Sequence, residues 1–350
     1  MADNERKITP ISDLGEFKLI EHLTNKNKII NESTEKAIGD DAAVLDYKNK
    51  KVVVTTDMLA EGIHFDLTYV PMKHLGYKSI IVNLSDLAAM NAVPEQVTVS
   101  LAISSKFSVE ALEELYEGIY MACEKYGVDL IGGDTTASLT GLIISVTALG
   151  SATEKELVYR NGAKKNDIIC VTGDLGGSYM GLHLLEREKN VFKDNPKVQP
   201  KLEGYDYILS RILKPEARTD MKKVFIDLGV QPTSMMDISD GLSSEVLHIC
   251  KQSGVGAKIY EDRIPMDMQT RAMAEELNIN PIVAALNGGE DYELLFTLPL
   301  ADHDKIRNHP DITVIGHITD ASEGTFMQLV GGNEVELTAQ GWNPLKNKEE

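Results

Sequence analysis

Cysteine is scarce in this chain: three in 350 residues, at Cys123, Cys170 and Cys250. They are far apart, odd in number and form no C-x-x-C, so neither a disulfide framework nor a zinc cluster is indicated. Also missing is any uninterrupted apolar run long enough to cross a bilayer. The opening MADNERKITP is charged and lacks the apolar core of a signal peptide. A soluble, cytoplasmic protein is the expectation. Positive charge is in deficit as well, with 35 Lys+Arg against 54 Asp+Glu and a formal charge of -19. Such a surface repels nucleic acid and anionic membrane, and neither is expected as a partner. Anionic substrates, by the same reasoning, would need metal ions or local basic groups to receive them.

Familiar phosphate-binding and catalytic signatures are absent too. VTGDLGGSYMGL, residues 171–182, resembles a glycine loop between strand and helix. It lacks the G-K-[ST] ending of a P-loop and fails G-x-G-x-x-G, so neither a Walker site nor a dinucleotide fold follows. There is no HRD or DFG set, which excludes a protein kinase. None of the eight histidines forms H-E-x-x-H.

What is present is ordinary globular material, 43% hydrophobic and 25% charged, long enough for two domains. Strand-like runs occur at 51–57, 95–104, 141–150, 167–174, 292–298 and 312–318. Helical segments alternate with them. In SVEALEELYEGIYMACEKYG, Ser108 is placed to cap the start, and Leu112, Leu115, Ile119 and Cys123 share one face. Lys125 and Gly127 mark its end. HLGYKSIIVNLSDLAAMNA reads as a second helix, followed by YMGLHLLEREK and SSEVLHICKQ. The mixture predicts an α/β or α+β fold, with a boundary near 150–160. The polar stretch 188–206 reads as a surface excursion.

The acids are distributed with a pattern. Asp40 and Asp41 adjoin in IGDDAAV, Asp57 ends VVVTTD, and Asp134 lies in LIGGDTT. Asp237 and Asp240 follow in MMDISDGLSS, then Glu290 and Asp291 in NGGEDYEL. Each sits where a strand-like run meets a Gly-, Ser- or Thr-containing turn, the place where α/β scaffolds mount binding groups. A solvated turn acid or a cap is the competing explanation for any one of them; the recurrence is the signal. Asp86 differs, lying in the apolar helix IIVNLSDLAAM with Ser79 and Asn83 on its face. It is a metal ligand, an acid paired with a distant Lys or Arg, or an acid exposed at the helix surface. Oxygen-rich, sulfur-poor sets suit hard cations, and Mg²⁺ in particular takes one or two carboxylates, waters and substrate phosphates. Thr55, Thr56 and Ser239 supply neighbouring hydroxyls, and Gly39, Gly132, Gly133, Gly288 and Gly289 would allow close backbone approach, a turn needing positive φ being the competing explanation for each. Few basic residues are candidates to meet phosphate; Arg160 is the one of interest, with a surface salt bridge as its default explanation.

AIGDDAAV, TTDMLAEGIHF, NLSDLAAM, IGGDTT, DISDGL and GGEDYEL, in this order over most of the chain, resemble the thiamine-monophosphate kinase family. The wider superfamily includes aminoimidazole ribonucleotide synthetase. The resemblance implies a two-domain aminoimidazole ribonucleotide synthetase-like fold. Residues 1–155 would form an N-terminal ATP- and Mg-binding domain that dimerises through its strands. Residues 156–350 would form a C-terminal α/β domain completing the active-site cleft. It implies metal ligands at Asp41, Thr55, Thr56, Asp57, Asp86, Asp134, Asp237 and Asp240, and ATP contacts at Asp41, Gly133, Asp134, Arg160 and Ser239. Thiamine-phosphate contacts fall on His64, Glu290 and Trp342. The implied reaction is ATP-dependent phosphorylation of thiamine monophosphate to thiamine diphosphate, the final step of that synthesis. It would proceed in a homodimer by direct in-line transfer assisted by several Mg²⁺ ions. The alternatives are another ATP-dependent enzyme of the superfamily, such as a purine-precursor synthetase, or a catalytically silent metal-binding relative.

Overall fold

The computed structural model describes Thr9, residues 15–37 and residues 44–339. The chain divides into two compact units, one of residues up to Leu87 with Val93–Glu154, the other of Ala88–Ala92 with residues from Lys155 onward. Among the described residues, no helix is long and apolar enough to cross a membrane.

The first unit opens with α1 (Gly15–Thr24) and the short pair β1 (Thr34–Lys36) and β2 (Val44–Leu45). Its sheet is built from β3 (Lys51–Ala60), β4 (Val93–Ser104), β5 (Asp129–Ser138) and β6 (Ile143–Ala152), in the order β3-β6-β4-β5. Only β4 and β5 pair in parallel. β-branched residues dominate β3 and β6, whose crowded side chains favour extended backbone. Alternation then decides what each face covers. Val97, Val99, Leu101 and Ile103 of β4 are buried, as are Ile144, Val146 and Ala148 of β6. Val52, Val54 and Met58 of β3 remain 45–59% exposed on the other side.

Two helices cross within this unit, α2 (Met72–Ala89) and α3 (Val109–Tyr126). Ser108 caps α3 by accepting the Ala111 N–H, and Gly127 ends it in the left-handed region. The predicted face of Leu112, Leu115, Ile119 and Cys123 is buried. The crossing depends on two glycines. A Cβ at Gly76 would lie 1.9 Å from the Leu115 carbonyl oxygen, and one at Gly118 would lie 1.9 Å from that of Lys73. The helix backbones therefore touch, which fixes the height of α2 over the sheet.

The second unit holds a seven-stranded mixed sheet. Its strands are β7 (Ile168–Thr172), β8 (Ser234–Asp237), β9 (Gly256–Tyr260), β10 (Leu294–Leu298), β11 (Ile312–Thr319), β12 (Thr325–Gln328) and β13 (Glu334–Glu336). The order is β13-β12-β9-β11-β7-β10-β8, with β12 and β9 parallel and the remaining pairs antiparallel. Successive residues of β7 feed two separate cores. Ile169 and Val171 join Met236, Ile259 and Leu295 on one face, while Ile168 and Cys170 join Phe225, Phe296 and Ile312 on the other. Around the sheet lie α4 (Gly177–Asp194), α5 (Asp206–Leu213), α6 (Met221–Leu228), α7 (Leu242–Ser253), α8 (Met268–Glu276), α9 (Pro281–Asn287) and the single turn α10 (His303–Ile306).

Three local expectations need correction. Asp57 and Asp134 are not at strand ends: β3 runs on to Ala60 and β5 spans Asp129–Ser138, so both acids are mid-strand. The threonines beside them, read as turn formers, act as β-branched strand residues. The excursion also begins later than expected. Residues 188–194 continue α4, with Glu188 buried, and its backbone leaves the helix only at Asn195, ahead of Pro196.

Candidate active site

Three of the predicted ligands converge in the first unit. Thr55 and Asp57 lie two apart on β3 and so project to the same side, toward α2. Thr55 Oγ1 donates to Asp86 Oδ2 at 2.5 Å. The backbone N–H of Asp57 donates to Asn83 Oδ1 at 3.0 Å, and Asn83 itself, fully buried, donates to the Ser79 carbonyl at 3.1 Å. The polar stripe Ser79–Asn83–Asp86 thus docks the helix on the strand. Burial, and then the charge of Asp86, raise the Asp57 carboxyl to about 6. The fold thus holds Asp57 beside a second carboxylate that disfavours its ionisation.

The remaining first-unit residues lie elsewhere. Thr56 donates to the Val146 carbonyl at 3.0 Å and accepts from Thr147, on the exposed side of β3. Register carries Asp57 through Val146 and Val99 to Gly133. Asp134 is therefore next to a position about 14 Å from Asp57, three strand spacings away. It is exposed, opposite Ser100 on the same side of the sheet as Thr56. His64 follows β3, with Nδ1 accepting the Ala60 N–H at 3.0 Å; the ring proton of a neutral His64 is then on Nε2. A cavity of about 500 Å³ in this unit is lined by Ser33, Asp46, Tyr47, Lys50 and Glu95 among others, and none of the expected ligands among the described residues lines it.

In the second unit β8 ends at Asp237, which is buried, and the turn continues through half-buried Ser239 to exposed Asp240. α7 begins immediately afterward. Its first-turn Glu245 reaches back so that Oε1 accepts the Asp240 N–H at 2.9 Å. Oε2 of Glu245 is buried and has no hydrogen-bond partner among the described residues. Burial raises this carboxyl to about 8, with the charges of Asp240 and Asp237 adding to the effect. The sequence reading missed Glu245, because a glutamate in a first helical turn looks like an ordinary dipole partner.

Alongside runs the loop of residues 289–293. The Glu290 N–H donates to the Ser239 carbonyl at 2.7 Å and that of Tyr292 to Ile238 at 2.9 Å. Glu290 and Tyr292 take φ of 55° and 53°, the left-handed region. Between them Asp291 turns inward, accepting the Gly176 N–H at 2.8 Å. Burial raises its carboxyl to about 7 despite the nearby Arg211 guanidinium. Arg160 is exposed, and its carbonyl accepts from Ser234 at 2.9 Å, at the other end of the strand that delivers Asp237.

Asp41 and Trp342, like Asp40 and Gly39, lie outside the described residues. Among the described residues no three His, Cys, Asp or Glu side chains gather closely enough to hold a metal ion on their own. The acids occur in ones and twos, an arrangement suited to ions that complete their shells with water and phosphate oxygens.

Known proteins resemble this chain over most of its length. The family model for AIR synthase related protein, N-terminal domain, matches residues 39–152, and that for the C-terminal domain matches residues 164–328. The chain is 37% identical over 335 residues to thiamine-monophosphate kinase of Aquifex aeolicus, covering 95% of this chain and 98% of that one. It is 33% identical over 339 residues to the Bacillus subtilis (strain 168) protein of the same name, covering 95% and 100%. The solved structure of AaThiL complexed with AMPPCP and TMP superposes with a TM-score of 0.72 at 33% identity, over 95% of this chain and 97% of that one.

Proposed function

Because this chain belongs to the thiamine-monophosphate kinase family of AIR synthase related proteins, we propose that it transfers the γ-phosphoryl group of ATP to thiamine monophosphate. The products are thiamine diphosphate and ADP, the last step in making that coenzyme. The carrying observation is the Thr55–Asp57–Asp86 cluster, in which two acids share a half-buried site and Asp57 is raised to about 6. An oxygen-only set of this kind fits a hard cation such as Mg²⁺.

The ligands we assign are Asp41, Thr55, Thr56, Asp57, Asp86, Asp134, Asp237 and Asp240, divided among several ions rather than crowded on one. Bound Mg²⁺ would offset the repulsion between two phosphates and the acidic protein, and stabilise charge in the transition state. The protein's own part is positioning. Asn83 fixes the Asp57 backbone, Thr55 orients Asp86, and Glu245 fixes the turn between Asp237 and Asp240. Asp41, Gly133, Asp134, Arg160 and Ser239 contact ATP. His64, Glu290 and Trp342 contact the acceptor. The acceptor is a phosphate monoester, already anionic near neutral pH, so its oxygen attacks with little need of a base. The bond from γ-phosphorus to the ADP oxygen breaks as the new P–O bond forms in line, and no phosphoenzyme intervenes.

A homodimer is part of this reading. The exposed row Val52, Val54 and Met58 on β3 supports association through the open side of the first-unit sheet. Nucleic acid is not a partner, in keeping with the charge of -19. The test is chromatographic separation of products after incubation with ATP, thiamine monophosphate and Mg²⁺. Omitting the metal, or offering thiamine instead, should abolish the thiamine diphosphate peak. ATP left intact in the complete mixture would refute the assignment.

A further inference from the structure

Arg211 enters the second-unit site from α5, the helix that follows the polar excursion. Its Nη1 donates to Glu293 Oε1 at 2.8 Å. Its Nη2 donates to two backbone carbonyls, Asp174 at 3.0 Å and Asp291 at 3.1 Å, and lies 3.7 Å from Asp291 Oδ1. Those carbonyls belong to different segments, the turn after β7 and the loop before β10, so one planar fork ties the two together. Glu293 is held from its other side, where Oε2 accepts from Arg218 at 2.8 Å and from Thr172 at 2.6 Å. Tyr207, also on α5, donates to Asp174.

The gripped loop would not hold its shape unaided. Two non-glycine residues, Glu290 and Tyr292, occupy the left-handed region on either side of Asp291. Such conformations persist where the surroundings over-determine them. The same loop is bonded to the acid-bearing turn through Glu290 to Ser239, Tyr292 to Ile238, and the Ile238 N–H to the Glu293 carbonyl at 2.8 Å. How far Glu290 sits from Asp237 and Asp240 is thus fixed by a segment that Arg211 clamps from beneath.

We infer that Arg211 is a positioning residue for the phosphoryl acceptor, its guanidinium fork holding the Glu290–Tyr292 segment against the Asp237–Asp240 turn. The inference rests on the acceptor contact proposed above for Glu290. A purely structural role, neutralising buried Asp291 and Glu293, would be met by any cation of similar reach. The fork role would not. Arg218 provides the contrast: it donates to Glu293, Asp220 and Met221 and to neither of the two carbonyls.

The experiment compares full-length wild type, Arg211→Lys and Arg218→Lys by hydrogen exchange and by steady-state kinetics. Lysine keeps the charge and loses the fork. For Arg211→Lys, exchange in the segment 288–294 should speed about tenfold, and the KM for thiamine monophosphate should rise about tenfold, the scale of losing charge-assisted hydrogen bonds. The KM for ATP should stay within about twofold, and Arg218→Lys should change neither quantity by more than that. Unchanged exchange in 288–294, or equal loss for both substrates with faster exchange everywhere, would overturn the inference. Should the lysine variant not fold, the wild type still decides. Its Glu290 and Tyr292 amides are expected to exchange as slowly as those of β10, and fast exchange there overturns the clamp. Should the wild type not phosphorylate thiamine monophosphate, the acceptor reading fails, while the exchange comparison still supports or refutes the clamp.

Discussion

Replacing Asp57 with Asn should make the metal-free protein more stable while removing its activity. The carboxyl rises from 3.8 to about 6 on folding, through burial and then the charge of Asp86. Two pKa units correspond to roughly 3 kcal/mol; discounted for the part of the group that water still screens, roughly 1–2 kcal/mol remains. The sign follows from proton binding. Between about pH 4 and 6 the folded state holds a proton that the unfolded chain has lost, so stability falls as pH rises through that window. Above 6 the folded protein carries the full cost of an ionised Asp57 beside Asp86. Asp57→Asn escapes it, and at pH 7.5 in EDTA its unfolding midpoint should rise by roughly 2–8 °C. At pH 4.5 most of the gain should vanish. Excess Mg²⁺ should restore the wild type by mass action and help the variant less. Phosphoryl transfer by the variant should fall at least about 100-fold, the scale of losing one preorganised electrostatic contact. Thermal unfolding with and without chelator is the assay. A variant less stable than wild type in EDTA at pH 7.5 would show that Asp57 is a satisfied structural acid, and the cation argument would fail with it.

Other outcomes follow from the same structure. Asp291 is buried and raised to about 7, so it costs the native state progressively between about pH 4 and 7; Asp291→Asn should flatten the decline of the urea midpoint across that window, and a steeper decline would contradict the assignment. Gly118→Ala puts a methyl 1.9 Å from the Lys73 carbonyl oxygen, which should lift α2, cost about 1–3 kcal/mol and lower activity through Asn83 and Asp86. Phe296 packs edge-on against Phe225 with centroids 5.1 Å apart; Phe296→Ala should cost about 3–5 kcal/mol in calorimetric unfolding, and under about 1 kcal/mol would mean the core collapses around the gap.

How far the sequence led depended on the range of the interaction. α3 was legible because its cap, apolar stripe and terminal glycine are local signals. The Ser79–Asn83–Asp86 stripe was legible from helical spacing alone, although its partners Thr55 and Asp57 come from a strand some thirty residues earlier. Asp134 was placed in a turn because Gly-Gly-Asp-Thr-Thr carries turn residues, whereas pairing with β4 keeps it extended. Short strands such as β8 and β9, of four and five residues, gave too little period to notice. Arg211 was invisible, since its acceptors at Asp174, Asp291 and Glu293 are 37, 80 and 82 positions away. Glu245 gave no signal beyond that of an ordinary first-turn acid.

On the function proposed above, bound metal lets a phosphoryl group pass directly between two anions. A single-turnover experiment with γ-³²P-labelled ATP, thiamine monophosphate and excess enzyme, quenched at successive times, tests it most directly. With Mg²⁺ the label should move from ATP to thiamine diphosphate without appearing on protein, and with chelator it should stay in ATP. Label trapped on the protein, or transfer that persists without metal, would contradict the account.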